Sequence, residues 1–375
     1  MSMPTAQPAS SKSLTILSRL LFPPRYNDES VPVDDGQYLY GLNSGITDIS
    51  KEEFEDLLAL ASSNHVVVRA FDVALNILHR VQDNTRTEWV LTALTAERAR
   101  VNNAMFFLAE VFAAFEEEDL DVIVIKSLDH WPDFGSDLDM YTDADAENVT
   151  QLMEQRFQAQ MAYRSWGDRL ARKWNFIIPG LPEAVEIHMG RLGQTGEQLI
   201  LASRLVGRTR MVRVGGQEYR VPAVSDRIMI STLQRMYRHF YFRLCDIVDT
   251  SALSESGAID FEDLRSSANA SGIWEGVATY LAIVSDYLKK YRGTGLNLPQ
   301  FVWDSAQFGG DAIYFSQGYL RVPIMPQSVR LYGTQLSGLL RKRELHSSAR
   351  LGLLPWLATA AAVGQKITGS DKGIW

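Results

Sequence analysis

Val122-Ile123-Val124-Ile125-Lys126-Ser127 and, a few residues on, Gly135-Ser136-Asp137-Leu138-Asp139-Met140-Tyr141 decide how this 375-residue chain is read. The first piece is a continuous apolar run, as expected of a short buried strand. The second alternates polar and apolar residues, the pattern of a strand with one dry face and one acidic face. Asp129, Pro132, Asp133 and Gly135 lie between them and mark a connector rich in turn residues. Side chains at i and i+2 leave a strand on the same side, so Asp137 and Asp139 project together. Like charges held side by side repel, which costs stability unless a cation neutralises them.

Working outward, Thr142 and Asp145 open a helix carrying Val149, Leu152, Met153 and Phe157. Two more strand-like segments follow at 174–178 and 184–188. Pro179-Gly180-Leu181-Pro182 joins them as an antiparallel hairpin. Within the second, Val185-Glu186-Ile187 sets one acid between two apolar residues, which makes Glu186 the third carboxylate. Residues 121–222 are therefore read as a small α/β core.

Residues 50–120 read as an N-terminal helical region. Ser50 and Glu53 form a capping-box signature, and apolar stripes run through 54–61, 66–78 and 101–115. These stripes suggest packing, not chemistry. Residues 223–325 read as a C-terminal helical region. It starts at Ser225 as N-cap, with one helical stripe from Met229 to Val248 and further helices around 261–270 and 273–291. Residues 1–49 are taken as a flexible N-terminal segment and 326–375 as a basic, then apolar, tail. The expected fold class is α+β: a small mixed or antiparallel sheet flanked by N-terminal and C-terminal helical regions.

The net charge of −8 argues against a general nucleic-acid binder, which needs a basic surface to displace counterions. A few local Lys or Arg side chains still suffice for one triphosphate. A single cysteine, Cys245, allows no intrachain disulfide and leads one to expect no cysteine-based metal site, which fits a reducing, cytoplasmic setting. The apolar run Leu351–Val363 is too short to span a bilayer and contains Pro355. Arg341-Lys342-Arg343 and Arg350 precede it, so the tail would either lie on an anionic membrane surface or pack on its own domain as a helix.

Three carboxylates from neighbouring strands suit Mg²⁺, or Mn²⁺, which take carboxylate oxygens together with phosphate oxygens and water. Two such ions could activate an attacking hydroxyl and stabilise a leaving pyrophosphate. The plain alternative is that Asp137 and Asp139 decorate a solvent-facing strand.

In Ile125-Lys126-Ser127, Gly135-Ser136-Asp137-Leu138-Asp139-Met140 and Val185-Glu186-Ile187-His188 the chain resembles the polymerase-β-like nucleotidyltransferases. That superfamily carries a small residue after a first strand, an acid–hydrophobic–acid strand about ten residues later and a third acid on a later strand. The chain looks most like a poorly characterised bacterial branch whose first motif reads Lys-Gly and whose third reads Glu-x-His. That branch also has helices before the core and a later His-rich, Arg–Asp helix. Here the latter would be Tyr237-Arg238-His239-Phe240-Tyr241-Phe242-Arg243-Leu244-Cys245-Asp246-Ile247. One departure stands out: Ser127 occupies the position where that branch has Gly.

The resemblance implies metal-dependent transfer of a nucleoside monophosphate from an NTP donor to an acceptor, with Asp137, Asp139 and Glu186 as metal ligands. The acceptor would be a small molecule, a sugar or a protein before a long RNA. Lys126 and Ser127 would meet the triphosphate, although Lys126 could equally close its strand at the surface. Arg172 and Lys173, near Arg169, would assist or else form a solvated loop. His188 would orient a ligand, act as a base, contact substrate or serve the structure. His239, Arg243 and Asp246 would share a helical stripe lining the cleft, or Arg243 and Asp246 would form an ordinary i, i+3 pair. Trp131 and Trp166 could stack a base. The competing readings are a degenerate nucleotidyltransferase fold acting as a scaffold and a metal-dependent glycosyltransferase. The latter needs a strand–helix nucleotide-sugar domain before Asp-x-Asp, where this chain is helical. A haloacid-dehalogenase-like phosphatase would need Thr or Val where Tyr141 stands.

Overall fold

A strand bearing acids on one face has to be backed by apolar side chains on the other, and the helix before it supplies them. The computed structural model describes residues 11–24 and 45–356. Ahead of the sheet stand α1 (Ser11–Leu21), α2 (Lys51–Ser63), α3 (Val67–Arg80) and α4 (Asn84–Glu117). Ser50 caps α2 as its sequence implies: the hydroxyl accepts from Glu53 N and the Glu53 carboxylate accepts from Ser50 N. At about 1.5 Å per residue, α4 spans roughly 50 Å, long enough to serve two cores. Its first half places Val90 and Leu94 in a core shared with α1 to α3 and the later helices. Its second half places Leu108, Val111 and Phe115 beneath the sheet.

The sheet comprises β1 (Ile123–Val124), β2 (Asp137–Thr142), β3 (Gln160–Met161), β4 (Lys173–Ile177) and β5 (Ala184–Met189), ordered β1-β2-β5-β4-β3. β2 and β5 run parallel and the other neighbours antiparallel, so the sheet is mixed. The expected hairpin is β4–β5, turned at Gly180 with φ +87°. Between β2 and β3 lies α5 (Ala146–Phe157), whose Val149, Leu152 and Met153 are buried against the sheet. Asp145 occupies its N-cap position, but its side chain makes no capping bond. Leu138 and Met140 face the α4 side, while Tyr141, Ile123 and Ile125 pack into the helical core on the other. The acidic face thus looks toward the C-terminal helices.

Those follow α6 (Trp166–Ala171), α7 (Leu199–Gly207) and a separate hairpin, β6 (Thr209–Val214) with β7 (Gln217–Pro222). Next come α8 (Val224–Thr232), α9 (Leu244–Glu255), α10 (Phe261–Ala270), α11 (Trp274–Arg292), α12 (Gln300–Ser305), α13 (Val329–Arg341) and α14 (Leu345–Gly352). α10 and α11 stand where their stripes predict them.

Three expectations change. Ser225 is not a cap; Ala223 holds that position and Ser225 is buried inside α8. The stripe from Met229 to Val248 is not one helix. After α8 comes a π-helical stretch, Leu233–His239, then Phe240 at φ +55°, then β8 (Tyr241–Phe242). β8 pairs with β10 (Tyr319–Arg321), which also pairs with β9 (Tyr314–Ser316). Aromatic residues suit a half-buried strand, and Phe242, fully buried, stacks on Tyr280 at 5.1 Å. This pairing with a distant segment overrides the helical period.

Finally, residues 1–49 contain a docked helix where a flexible segment is expected. Leu14, Ile16, Leu17 and Leu20 of α1 are buried in the helical core, and the Ser18 hydroxyl meets Tyr287 Oη at 2.6 Å. The spacing of those four residues gives α1 one apolar face. The tail is packed in part: Leu345, Leu353 and Trp356 are exposed, while one face is held against the domain. Leu331, Leu339 and Leu351 are buried, and Arg350 donates to Leu170 O and Thr195 O at 2.7 and 2.8 Å. Residues 357–363 of the apolar run lie outside the described residues. No described helix is long and apolar enough to cross a membrane.

Candidate active site

The register of β2 and β5 sets Asp139 directly opposite Glu186. Parallel neighbours lie about 4.8 Å apart, so their carboxylates share one patch of the sheet face. His188, two residues along β5, joins them: donor atoms of Asp139, Glu186 and His188 all lie within 4.8 Å of one another. Asp137 stands just outside this trio, its carboxylate accepting from the Ser136 hydroxyl at 3.2 Å.

The turn after β1 is strained. Lys126 adopts φ +63°, ψ −52°, and Ser127 N donates to Ile125 O at 2.7 Å, which together describe a γ-turn of the rare positive-φ kind. Ser127 Oγ accepts from Asp139 N at 2.7 Å and donates to Asp137 O at 3.3 Å. Ser127 lines the acid cavity, with both its amide and its hydroxyl engaged within the turn and β2. A buried hydroxyl needs partners, which Gly at this position would not. The turn lays the Lys126 ammonium over the acids, in ion pairs with Asp139 and, at 3.7 Å, Glu186.

Lys173 is buried beside Glu186 and Asp168, at 2.9 Å from each, so it serves the acid rather than an open phosphate site. Arg172 is an exposed residue at φ +51° ending α6 and does not line the acid cavity. Trp131 and Trp166, 39% and 63% exposed, are also absent from its walls.

Burial pushes the Asp139 carboxyl up to about 7, with Glu186 and Asp137 adding to the effect and Lys126 opposing it. Glu186 is buried too, yet Lys126, the bond from His188 and Lys173 hold it well below the usual carboxylate range. Burial drives His188 down to about 4. The ring is therefore neutral near pH 7, with Nε2 donating to Glu186 Oε1 at 2.9 Å and Nδ1 left as an acceptor without a partner. Two carboxylates, an imidazole and a third carboxylate close by make a donor set that fits a hard divalent cation. The Lys126 ammonium is the positive charge paired with Asp139 here.

Over the acids lies a cavity of about 140 Å³. Lys126, Asp137, Asp139 and Glu186 form one side and Gln234, Arg235, Arg238, His239 and Arg243 the other. The break between α8 and α9 makes this possible, since it turns the π-helical stretch and the start of α9 toward the sheet. Accordingly, His239, Arg243 and Asp246 do not share a helical stripe. His239 ends the π-helical stretch and Arg243 is the N-cap of α9. Asp246 is buried in the first turn of α9, accepting from Arg243 N at 2.7 Å and pairing with Arg235 Nε at 2.7 Å. His239 is kept neutral by burial and by Arg238, Arg235 and Arg243. Arg235 is 1% exposed, and its Nη1, like Arg243 Nε, is buried without a partner. Gln234 and Arg235 went unread in the sequence, and Arg238 was named only as part of the His-rich segment, with no role given to it.

One wall is held by a buried network. His130 Nδ1 meets Asp249 Oδ2 at 2.5 Å, Asp249 pairs with Arg69, and Arg69 pairs with Asp133 at 2.8 Å. Cys245 Sγ lies 3.9 Å from His130 Nε2, so this cysteine does sit within a possible donor trio with His130 and Asp249. Within the trio Asp249 is already bonded to His130 and to Arg69, as a clamp would be.

A sequence model of a family described as uncharacterised nucleotidyltransferase matches residues 50–289, from the cap of α2 to near the end of α11. No curated protein and no solved structure matches the chain. The match covers more than half of the chain and takes in the acids, the strained turn and the basic side of the cavity, so the chain belongs to this family of uncharacterised nucleotidyltransferases.

Proposed function

We propose that the protein transfers a nucleoside monophosphate from an NTP to an acceptor hydroxyl, the new phosphate ester forming as pyrophosphate leaves and the hydroxyl gives up its proton to solvent. One observation carries this reading: a cavity with three carboxylates on one side and Arg235, Arg238 and Arg243 on the other. A buried guanidinium N–H without a partner is costly, and phosphate oxygens match its fork geometry. Held by Asp137, Asp139 and Glu186, with His188 beside them, Mg²⁺ or Mn²⁺ would neutralise phosphate charge and lower the pKa of the acceptor hydroxyl.

The chain's own residues do the rest. Arg235, fixed by Asp246, and Arg238 bind and orient the phosphates; Lys126 is within reach of both acids and phosphates. Ser127 locks the turn that aims Lys126. Glu186, held well below the usual range, remains ionised and supplies charge; it is a poor proton acceptor. An open pocket of about 440 Å³ meets the cavity at Gly135, Ser136 and Arg243 and gives the acceptor a route to it.

A second reading rests on Lys126. Its ammonium already neutralises Asp139, as it would in a fold that had become a scaffold. Calorimetric titration with each NTP and Mg²⁺, on wild type and on Asp137→Asn/Asp139→Asn, separates the two. The transferase reading expects metal-dependent binding that weakens about 100-fold or more in the double variant. Absence of NTP binding to the folded wild type would favour the scaffold.

A further inference from the structure

The last described helix shows its apolar residues to solvent. Leu345, Ala349, Leu353 and Trp356 recur at i, i+4, i+8 and i+11, and Leu353, in the right-handed helical conformation, carries the helical path past the end of α14. That spacing puts all four on one side. The side is the outward one: Leu345 is 70% and Trp356 75% exposed, and Ala349 and Leu353 are exposed as well. The inward side carries Ser347, Ser348 and Leu351. A helix that only had to pack on its own domain would be turned the other way, with its apolar stripe against the core.

α13 repeats the pattern in part. Leu331, Gln335 and Leu339 face inward, while Val329 and Leu340 are exposed on the same outward arc as Arg330 and Arg341. Between the two helices Arg341, Lys342 and Arg343 are all exposed. Counting Arg330 and Arg350, residues 324–356 carry five basic side chains against one acid, Glu344, in a chain whose net charge is −8. The apolar stripe therefore lies next to the basic run and apart from the acidic balance of the rest. Charge decides what covers it. Residues 357–375 hold two lysines and one aspartate, and so bring no excess of negative charge to meet that run. An anionic lipid surface answers both features at once, with acyl chains for leucine, the headgroup level for tryptophan and phosphates for arginine and lysine.

We propose that α13 and α14 dock the protein on an anionic membrane surface, Leu345, Leu353 and Trp356 entering the acyl boundary while Arg341 and Arg343 meet lipid phosphates. No described helix is long and apolar enough to cross the bilayer, so the contact is peripheral. Both helices lie beyond residue 289, where the family match ends, which makes the docking a property of this chain's C-terminal part. It does not depend on the transferase reading above.

The test is co-sedimentation of the full-length protein with vesicles of phosphatidylcholine alone and of phosphatidylcholine mixed in equal parts with phosphatidylglycerol. The mixed vesicles should bind it about tenfold or more tighter than the neutral ones, and added salt should weaken that binding. Arg341→Gln/Arg343→Gln should lose about 25-fold on mixed vesicles, about fivefold per charge. Leu345→Ser/Leu353→Ser/Trp356→Ser should lose about 100-fold or more. Both variants should keep the melting temperature of the wild type, because all five side chains are exposed. Equal binding to the two kinds of vesicle, binding to neither, or a triple variant that binds as the wild type does overturns the docking. If the wild type binds no vesicle, is dimeric by light scattering and turns monomeric in the triple variant, the stripe belongs to a second copy and the docking falls. If the wild type binds no vesicle and the triple variant melts lower, the stripe is packed within the full chain, and the docking falls again.

Discussion

On the proposed reading, Asp139 is the residue where stability and function pull against each other. An Asp in the free chain titrates near 3.8; in the fold it is pushed up to about 7, mainly by burial. Between those values the folded state holds a proton that the unfolded chain has lost. The contribution of this group to stability is therefore full below about 3.8 and is lost as pH rises through about 7. A divalent ion needs the ionised carboxylate, so metal and proton compete. Mg²⁺ or Mn²⁺ binding should tighten between about pH 6 and pH 8 and release protons, seen as a buffer-dependent heat in calorimetry. Equal affinity at both pH values would exclude Asp139 as the titrating ligand.

At the scale of elements, the connector between β1 and β2 matters most, because it forms the cavity wall. Asp133 pins it. Fully buried, its carboxylate accepts from Val68 N at 2.6 Å and Arg69 N at 3.2 Å at the start of α3, and pairs with the Arg69 guanidinium. Asp133→Ala should cost about 3–5 kcal/mol, the range for breaking a buried ion pair, and urea unfolding measures it. A loss below about 1 kcal/mol, the range of exposed pairs, would mean that the connector is held by other contacts. Arg100 supports the same segment by donating to Phe134 O and Gly135 O at 3.1 Å each, while pairing with Glu183.

Across the whole molecule, α1 to α3 share one core with the C-terminal helices as far as α13, so the basic side of the cavity is held in place partly by α1 to α3. Leu17 of α1 is fully buried there. Leu17→Ala should destabilise the protein by about 2–5 kcal/mol in urea unfolding, as large-to-small core substitutions do. A segment free of the core would lose under about 0.5 kcal/mol, and that result would contradict the docking of α1.

The readings that held depend on local periods. Asp137 and Asp139 share a face because strand side chains alternate, and Glu186 stands out as one acid in an apolar strand. The capping box of α2 and the stripes of α10 and α11 are likewise local, and they follow from the residues alone. What depends on distant partners was not legible. The register of Asp139 against Glu186 joins segments nearly fifty positions apart in sequence. The strand at Tyr241–Phe242 exists because Leu320 and Arg321 pair with it, although its own stripe looks helical. Arg235 and Arg238 carry no role in the sequence by itself; the break after α8 is what turns them over the acids. α1 is too short to hold a helix by itself and needs the core it docks on. The sequence by itself determined which chemical groups one strand face would carry; only the tertiary structure decided what would face them, because opposing charges and shared cores are set by long-range packing.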